Sequence, residues 1–313
     1  YIHTCLEKIT NCIYPDKDMP ILKYLDDDGL PVEPEYYIPI IPMILVNGTK
    51  GIGTGYSSDV PLFNPLDIVN CIKSLLNNEE LPSIHPWYYG FKGEITKIKE
   101  QQYLSKGKYK IVNYKTVEVT ELPIGTWTEE YKEFLETLLV DYVDKKKKTD
   151  AKSKTTTNNN KGYLKNFENH SSESQVKFIL EFRPEILKKL NFSKENEHMN
   201  KLEKELRLTS TISTSNMCMF NHKNVIHKYQ NVEEILKEFY QVRYQKYQER
   251  KQYQLDKMEF DAEILSQKTK FILGIVNDTI IINKKSKSEI YQQLEEQEFK
   301  KMNSNGVFDN ENG

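Results

Sequence analysis

The stretch that most constrains the fold of this chain is an apolar run that leads directly into a cluster of glycines. It occupies residues 37–61 and reads YIPIIPMILVNGTKGIGTGYSSDVP. Its apolar part, residues 38–46, contains Pro39 and Pro42, which have no backbone N–H to donate. A central strand or a helix is therefore disfavoured, and we expect a buried extended segment that ends in a turn at Asn47-Gly48.

Ile52 lies inside the glycine cluster, between Gly51 and Gly53, with Gly55 two residues further on. Its β-branched side chain has few neighbours on such a loop, so it must pack against something else. The common outcome is a place in the protein's own core. The alternative is an apolar wedge, because such side chains are inserted between base steps from the minor groove, and glycines permit close approach of the backbone. A phosphate-binding loop is less favoured, since the glycine spacing is not G-x-G-x-x-G and no G-K-[ST] follows.

Residues 34–61, PEYYIPIIPMILVNGTKGIGTGYSSDVP, closely resemble the corresponding segment of eukaryotic type IIA DNA topoisomerases. In that family the isoleucine between the glycines intercalates and bends the cleaved DNA. The resemblance therefore implies a DNA-bending role for Ile52 and DNA contacts for Lys50, Gly51 and Gly53.

The first residues, YIHT, fit the family's segment R-Y-I-x-T, which carries the catalytic tyrosine. The resemblance implies that Tyr1 is the nucleophile. It also implies that the chain corresponds to a topoisomerase cut immediately before this residue, without the arginine that precedes it. Taken alone, a tyrosine at the start of a helix is more often a packing residue than a nucleophile.

Composition bounds the remaining possibilities. The length of 313 residues suggests about two domains, and 29% charged against 38% hydrophobic residues fits an elongated or partly disordered protein. The formal net charge is only −2, so any argument for a nucleic-acid partner must be local. The four cysteines form no C-x-x-C pair, which favours a reducing compartment. No apolar run approaches the roughly 18 residues of a membrane span.

Hydrophobic periodicity predicts a mixture of helices and antiparallel strands. The predicted elements are helices over residues 1–14, 65–76 and 128–142 and strands over residues 89–98, 107–123 and 174–182. Two stretches in this region, FKGEI and ELPIGTWTEEYKE, resemble the tower domain of the same family. They favour the eukaryotic enzymes over the related bacterial gyrase and topoisomerase IV subunits, in which the tower is replaced.

Residues 145–161, KKKKTDAKSKTTTNNNK, form a low-complexity insertion. We interpret this insertion as a solvated loop, with a basic import or DNA-grazing patch as the alternative.

Residues 207–216, RLTSTISTSN, combine an arginine with a run of hydroxyl side chains and contain no acid. These groups suit contacts to DNA phosphates, although a Ser/Thr-rich strand or turn is common in any soluble protein. The segment resembles a DNA-contacting stretch of the family. That resemblance implies DNA binding by Arg207, Thr209, Ser210, Thr211, Ser213, Thr214, Ser215 and Asn216.

Residues 232–276 predict one long helix, about 68 Å at 1.5 Å per residue. Its apolar residues recur at alternating spacings of three and four, with interruptions at Lys251 and Thr269, as in a coiled-coil seam with a stutter. A helix this long and polar needs a partner. In the family a helix at this place leads to a distal dimer contact, and residues 270–299 resemble the start of that region.

The predicted architecture is α+β with three regions. Residues 1–60 hold the end of a winged-helix region with the catalytic tyrosine and the glycine-rich DNA loop. Residues 61–230 form the tower domain, with its low-complexity insertion near 145–173. Residues 231–313 form the coiled-coil arm and the start of the distal gate.

The resemblance implies an ATP-dependent type II DNA topoisomerase that makes a transient double-strand break and passes a second duplex through it. Double-stranded DNA, a second copy of the chain and the N-terminal ATPase and metal-binding domains of the same protein are the implied partners, in the nucleus and with no membrane association. Mg²⁺ and ATP would serve the full enzyme, with their ligands outside these residues. The alternative from another class is a non-catalytic module that bends DNA and dimerises.

Overall fold

A computed structural model describes residues 2–139, 162–183, 185–192 and 195–302. The predicted nucleophile Tyr1 and the predicted insertion at 145–161 lie outside these described residues. The chain forms two compact units. A discontinuous unit combines Tyr1–Ile38 with Arg243–Gly313, and a continuous unit comprises Pro39–Val242.

Helices and strands are mixed along the chain, which confirms the predicted α+β class. The helices are α1 (Thr10–Ile13), α2 (Met43–Asn47), α3 (Pro65–Leu76), α4 (Thr128–Thr137), α5 (Ile186–Phe192), α6 (Lys201–Glu205), α7 (Val232–Val276) and α8 (Lys287–Glu296), with a 3₁₀ helix at Asp16–Ile21. The strands are β1 (Tyr24–Asp27), β2 (Leu30–Pro34), β3 (Thr49–Ile52), β4 (Ser57–Val60), β5 (Glu94–Lys99), β6 (Gln102–Lys106), β7 (Lys108–Asn113), β8 (Thr116–Glu121), β9 (Leu164–Asn169), β10 (Phe178–Phe182), β11 (Thr209–Ser213), β12 (Met217–Phe220) and β13 (Ile226–Tyr229). Within the described part of the chain, no helix has the length and apolar character needed to cross a membrane.

The larger core of the continuous unit forms on an antiparallel sheet with strand order β7-β8-β10-β9. Alternation along the strands places Val117 opposite Leu180 and Val119 opposite Phe178, and all four side chains are buried. Helix α4 covers this face with Tyr131, whose ring meets that of Phe178 at a centroid distance of 5.3 Å. Burial disfavours the charged phenolate and therefore raises the pKa of Tyr131.

The strand predicted over residues 107–123 is instead a hairpin of β7 and β8. Its turn begins at Asn113, whose Oδ1 accepts a hydrogen bond from the backbone N–H of Lys115 at 3.0 Å. Asparagine stabilises turns in this way, so one Asn within an alternating run is enough to end a strand. The other two predicted strands are shorter than expected and correspond to β5 and β10.

A smaller core in the same unit surrounds the end of the glycine-rich stretch. Helices α2, α3 and α7 and strands β4 and β12 contribute its buried side chains, which include Leu45, Val60, Ile68, Met217 and Leu236. The glycine-rich stretch is therefore attached to a packed core at its base, on the β4 side.

Two segments differ from the sequence prediction. The apolar run was expected to be extended, but Met43–Asn47 forms α2. Both prolines precede this helix, and Pro42 occupies its N-cap, where a missing N–H costs no helical hydrogen bond. The helix predicted over residues 1–14 comprises only Thr10–Ile13, and the apolar residues before it are exposed. A short amphipathic helix is unstable when nothing covers its apolar face.

In the discontinuous unit, α7 ends at Val276, as the sequence predicted. The apolar side chains of its predicted seam are exposed from Leu255 onward, among them Met258, Leu265 and Ile272. The distal dimer contact remains a prediction.

A buried ion-pair cluster joins the 3₁₀ helix to α7 within this unit. The Asp18 carboxylate, which is only 4% exposed, accepts hydrogen bonds from Arg243 at 2.6 Å and from Arg250 at 3.0 Å. Both guanidinium groups lie over the ring of Tyr247, with centroid distances of 4.0 and 4.8 Å. Since a buried carboxylate is costly without such partners, the cluster fixes these two elements together.

Candidate nucleic-acid interface

The glycine cluster folds into an antiparallel hairpin of β3 and β4. Its register pairs Lys50 with Asp59 and Ile52 with Ser57, and residues 53–56 form the connecting turn. The turn is closed by a backbone hydrogen bond of 2.8 Å between its first and last residues. Ile52 is therefore the last strand residue before the tip.

The side chain of Ile52 is 94% exposed. It takes no part in either hydrophobic core of the described chain, so the common outcome for an isoleucine does not apply here. Full burial of such a side chain is worth about 1.5–3 kcal/mol. The hairpin thus presents to solvent an apolar group that would gain this free energy from a partner.

Gly48 and Gly51 lack side chains for different reasons. Gly48 has a φ of +62°, and an added Cβ would lie 2.7 Å from both Leu62 Cδ1 and Val60 O, so the fold itself requires glycine. An added Cβ at Gly51 would meet no atom within 4 Å, and the backbone there is not left-handed. The fold does not explain Gly51, whereas close approach of the backbone to a partner does.

The charges on the hairpin lie on opposite strands. Lys50 has an 85% exposed side chain, and its ammonium lies 3.8 Å from the Asp59 carboxylate. An exposed pair at this distance is weak, so Lys50 is free to bind a phosphate. Burial, assisted by the nearby charge of Asp59, raises the pKa of Tyr88, so this phenol stays neutral beside the hairpin.

The hydroxyl-rich segment begins as β11, the edge strand of the sheet β11-β6-β5. Thr209, Thr211 and Ser213 share one face of the strand, and Thr211 is exposed. The opposite face carries Ser210, whose Oγ donates to the backbone oxygen of Ile124 at 2.7 Å. The proton of Ser210 is thus used inside the protein.

The residues that follow β11 are held by the neighbouring β5–β6 turn. Thr214 is 5% exposed, and its backbone N–H donates to the carbonyl of Gln101 at 3.0 Å. The hydroxyl of Ser213 also lies 3.4 Å from that carbonyl and 2.8 Å from the hydroxyl of Ser215. Ser215 itself is exposed.

Asn216 connects this segment to the hairpin. Its Nδ2 donates to the Oγ of Ser57 at 2.9 Å, and its backbone oxygen accepts from the N–H of Asp59 at 2.8 Å. The next residue, Met217, is fully buried in the smaller core. The hydroxyl-rich segment and the glycine-rich hairpin therefore form one surface, although they are far apart in sequence.

Arg207 lies just before β11 and is exposed, with its guanidinium carbon 4.1 Å from the ring centroid of Phe134 in α4. Stacking of this kind restricts the arginine side chain without using its hydrogen-bond donors. Arg207 thus remains able to bind an anion.

Comparison with known proteins identifies the family. A sequence model of the DNA gyrase/topoisomerase IV family, in its A-type form, matches residues 1–306. The chain belongs to this topoisomerase family.

Curated relatives with similar sequences are eukaryotic. DNA topoisomerase 2 of Plasmodium falciparum is 42% identical over 294 residues, which cover 94% of this chain and 19% of that protein. DNA topoisomerase 2 of Pisum sativum is 38% identical over 307 residues, and that of Saccharomyces cerevisiae is 37% identical over 309 residues, each with 98% of this chain and 20% of the relative covered. The chain spans about a fifth of the length of these relatives. The eukaryotic resemblance predicted from the sequence is confirmed.

A solved structure of the same topoisomerase family shares the fold. The crystal structure of the Plasmodium falciparum topoisomerase II DNA-binding, cleavage and re-ligation domain matches with a TM-score of 0.74 and 40% sequence identity. The match covers 93% of this chain and 36% of that chain. The α+β architecture described above is therefore that of a topoisomerase cleavage domain.

Ser57 is the residue of this topoisomerase surface that sequence reasoning missed, because its role depends on pairing with Ile52. The signal was present: two short segments separated by a glycine-containing turn predict a hairpin, and the hairpin places Ser57 opposite the exposed isoleucine.

Proposed function

We propose that this chain is part of the cleavage and rejoining core of a type II DNA topoisomerase. In this role it bends a duplex at the glycine-rich hairpin and supplies the tyrosine that opens one strand. The observation that carries the proposal is the exposed Ile52 side chain at the tip of the hairpin, in a chain that belongs to a topoisomerase family.

Ile52 acts as an apolar wedge between neighbouring base pairs. Inserting a wedge partly unstacks one step, which costs a few kcal/mol, and bending the site costs about 1–10 kcal/mol. Burial of the isoleucine offsets about 1.5–3 kcal/mol of this cost. Contacts along the bent duplex must therefore supply the remainder.

Groups around the hairpin supply those contacts. Lys50 and Arg207 neutralise phosphates, Thr211 and Ser215 donate hydrogen bonds to phosphate oxygens, and Gly51 lets the backbone approach the duplex. Contacts of this type position DNA without reading its sequence.

A second group of predicted DNA ligands takes a supporting role. Thr209, Ser210, Ser213 and Thr214 maintain the strand and the segment after it, because they are partly or fully buried. Gly53 shapes the tip of the hairpin, where its N–H closes the turn.

Tyr1 performs the chemistry in this proposal. Its phenolic oxygen forms a bond to a backbone phosphorus, the bond from that phosphorus to the 3′ oxygen breaks, and the 3′ oxygen takes up a proton. The product is a 5′-phosphotyrosyl link, so one phosphodiester has replaced another. Because a phenol has a pKa of about 10, it is a better leaving group than an alkoxide, and rejoining can run without ATP. Two such links on opposite strands, one from each copy of the chain, open the duplex for passage of a second one.

The remaining components belong to the whole enzyme. Within residues 2–139, 162–183, 185–192 and 195–302, no group of three or more His, Cys, Asp or Glu side chains is arranged to hold a metal ion. We therefore assign Mg²⁺ and ATP to segments outside this chain and derive no step from them. A second copy of the chain, the ATPase and metal-binding domains and a nuclear location complete the proposal.

Trapping of the covalent adduct tests this proposal. The full-length protein that carries this chain is incubated with duplex DNA and Mg²⁺, denatured, and digested so that the DNA-linked peptide can be mapped. The adduct should map to Tyr1, and Tyr1→Phe should abolish it while DNA binding is retained. An adduct on another residue, or a folded complex that forms none, would favour the alternative of a non-catalytic DNA-bending and dimerisation module.

A further inference from the structure

The position of the Ile52 side chain depends on the backbone that carries it, because the side chain itself is almost fully exposed. Strand β3 is exposed along its whole length, and an isolated two-stranded hairpin is marginally stable in water. A wedge that holds a bend in DNA must resist displacement. The hairpin therefore needs support from another part of the chain.

Asn216 provides this support along the outer edge of β4. Its side-chain Nδ2 donates to Ser57 Oγ at 2.9 Å, and its backbone oxygen accepts from Asp59 N at 2.8 Å. The two contacts lie two residues apart on β4, so they fix both the place and the direction of the strand near its tip.

The side-chain contact acts directly beside the wedge. The N–H of Asp59 points away from β3 to Asn216, so the pair Lys50–Asp59 is not bridged by hydrogen bonds. Because bridged and unbridged pairs alternate, the pair Ile52–Ser57 is also unbridged, and side chains in such pairs lie closest together. The amide of Asn216 thus holds the immediate cross-strand neighbour of Ile52.

Asn216 is itself rigidly attached. Met217 follows it and is fully buried with Val60 in the smaller core. Its Oδ1 also lies 3.7 Å from the thiol of Cys218, a weak donor. Displacement of the hairpin tip would therefore have to break contacts with a residue that the core holds in place.

We propose that Asn216 is a positioning residue for Ile52, which acts through Ser57, and not a ligand of DNA phosphate. The inference rests on the proposed function, since it requires that Ile52 bends DNA. It assigns to Asn216 a role different from that of its exposed neighbours Thr211 and Ser215.

A double-mutant cycle in the full-length protein tests this assignment. The variants are Asn216→Ala, Ser57→Ala and the double variant, and bending is measured by fluorescence energy transfer across a duplex labelled at both ends. Loss of one hydrogen bond should reduce the ratio of bent to straight complex roughly two- to tenfold. Each single variant should show this loss, and the double variant should be no worse than either. Additive losses, or an unchanged bend in Ser57→Ala, would overturn the proposal.

The salt dependence of binding separates positioning from direct phosphate contact. Removal of a phosphate ligand lowers the slope of log K against log salt by about 1, whereas removal of a positioning residue leaves it unchanged. We expect an unchanged slope for Asn216→Ala. A reduced slope would mean that Asn216 binds phosphate directly.

Two control variants keep the outcomes distinct. Asn70→Ala makes the same change at an exposed position of α3 and should leave the bend unaltered. Ile52→Ala should lower the bend at least as much as Asn216→Ala. If the unsubstituted protein does not bend DNA, or Ile52→Ala changes nothing, the proposed function fails. If Ile52→Ala lowers the bend and both Asn216→Ala and Ser57→Ala leave it intact, only the positioning role fails.

Discussion

Replacement of Gly51 by alanine should change stability and DNA binding in opposite directions. An added Cβ at this position meets no atom of the protein within 4 Å, and the backbone is not left-handed. Alanine at a compatible strand position reduces the freedom of the unfolded chain, so the free energy of unfolding should rise by about 0.4–1 kcal/mol. No contact within the protein opposes this gain.

The same methyl group should obstruct DNA if the backbone of β3 lies against the duplex. Forcing an extra methyl group into a closely packed contact costs typically about 1–3 kcal/mol, which corresponds to roughly 5- to 150-fold in Kd. Urea unfolding followed by circular dichroism measures the stability, and fluorescence anisotropy with a labelled duplex at fixed salt measures the affinity. The expected result is a slightly more stable protein that binds DNA much more weakly.

Gly48→Ala is the matched control. Its Cβ would lie 2.7 Å from Val60 O, and its φ of +62° disfavours alanine, so this variant should lose stability as well as DNA binding. The reasoning about Gly51 is refuted if Gly51→Ala binds DNA as tightly as the unsubstituted protein. It is also refuted if Gly51→Ala is destabilised, because the fold would then account for the glycine.

Four further substitutions test other parts of the molecule. Lys50→Ala should weaken binding to all duplexes alike and lower the salt slope of binding by about 1, which anisotropy titrations at several salt concentrations would measure. Asp18→Ala should destabilise the discontinuous unit by about 3–5 kcal/mol, since it leaves the buried Arg243 unpaired; an effect below about 1 kcal/mol in urea unfolding would contradict a buried role. Leu180→Ala should cost about 2–5 kcal/mol in the larger core, with a lower midpoint of thermal unfolding as the readout. Burial opposes ionisation of Glu238, but its hydrogen bonds lower its pKa overall, so its stabilising contribution is present above about pH 4.3 and is lost as the pH falls through the lowered pKa; in urea titrations between pH 5 and 3, Glu238→Gln should lose less stability than the unsubstituted protein.

Helices with clear periodicity and end signals were predictable from the sequence. Helix α3 runs from Pro65 to Leu76 as predicted, because Asn64 caps it by accepting a hydrogen bond from Leu66 N at 2.9 Å and proline suits its first position. Helix α7 also matches its predicted range. In both cases the residues within the element determine its limits.

Elements that depend on distant contacts were not predictable in the same way. Strand β6 was missed because its central residue, Ser105, is polar yet fully buried, and its hydroxyl accepts a hydrogen bond from Ile124 N at 3.0 Å. The alternation that indicates a strand is lost at such a residue. The apolar face of residues 2–9 gave the opposite error, since its spacing predicts a helix that requires packing to form.

The candidate site shows the same division. The exposed isoleucine among glycines and the hydroxyl-rich run were both recognisable in the sequence and from the family resemblance. Their connection was not, because Asn216 and Ser57 are 159 residues apart. No local pattern predicts which hydroxyl group such an asparagine will contact.

The bond between Asp18 and Arg243 also sets an order of events during synthesis. The two residues are 225 positions apart, and at about 5–20 residues per second a ribosome needs roughly 11–45 s to add that many. All of Pro39–Val242 is made within this interval, so the continuous unit can fold before either arginine partner exists. The nascent N-terminal segment must therefore stay solvated until the first turns of α7 have left the ribosome, and chains that stall before Arg243 leave Asp18 without the charges that make its burial favourable.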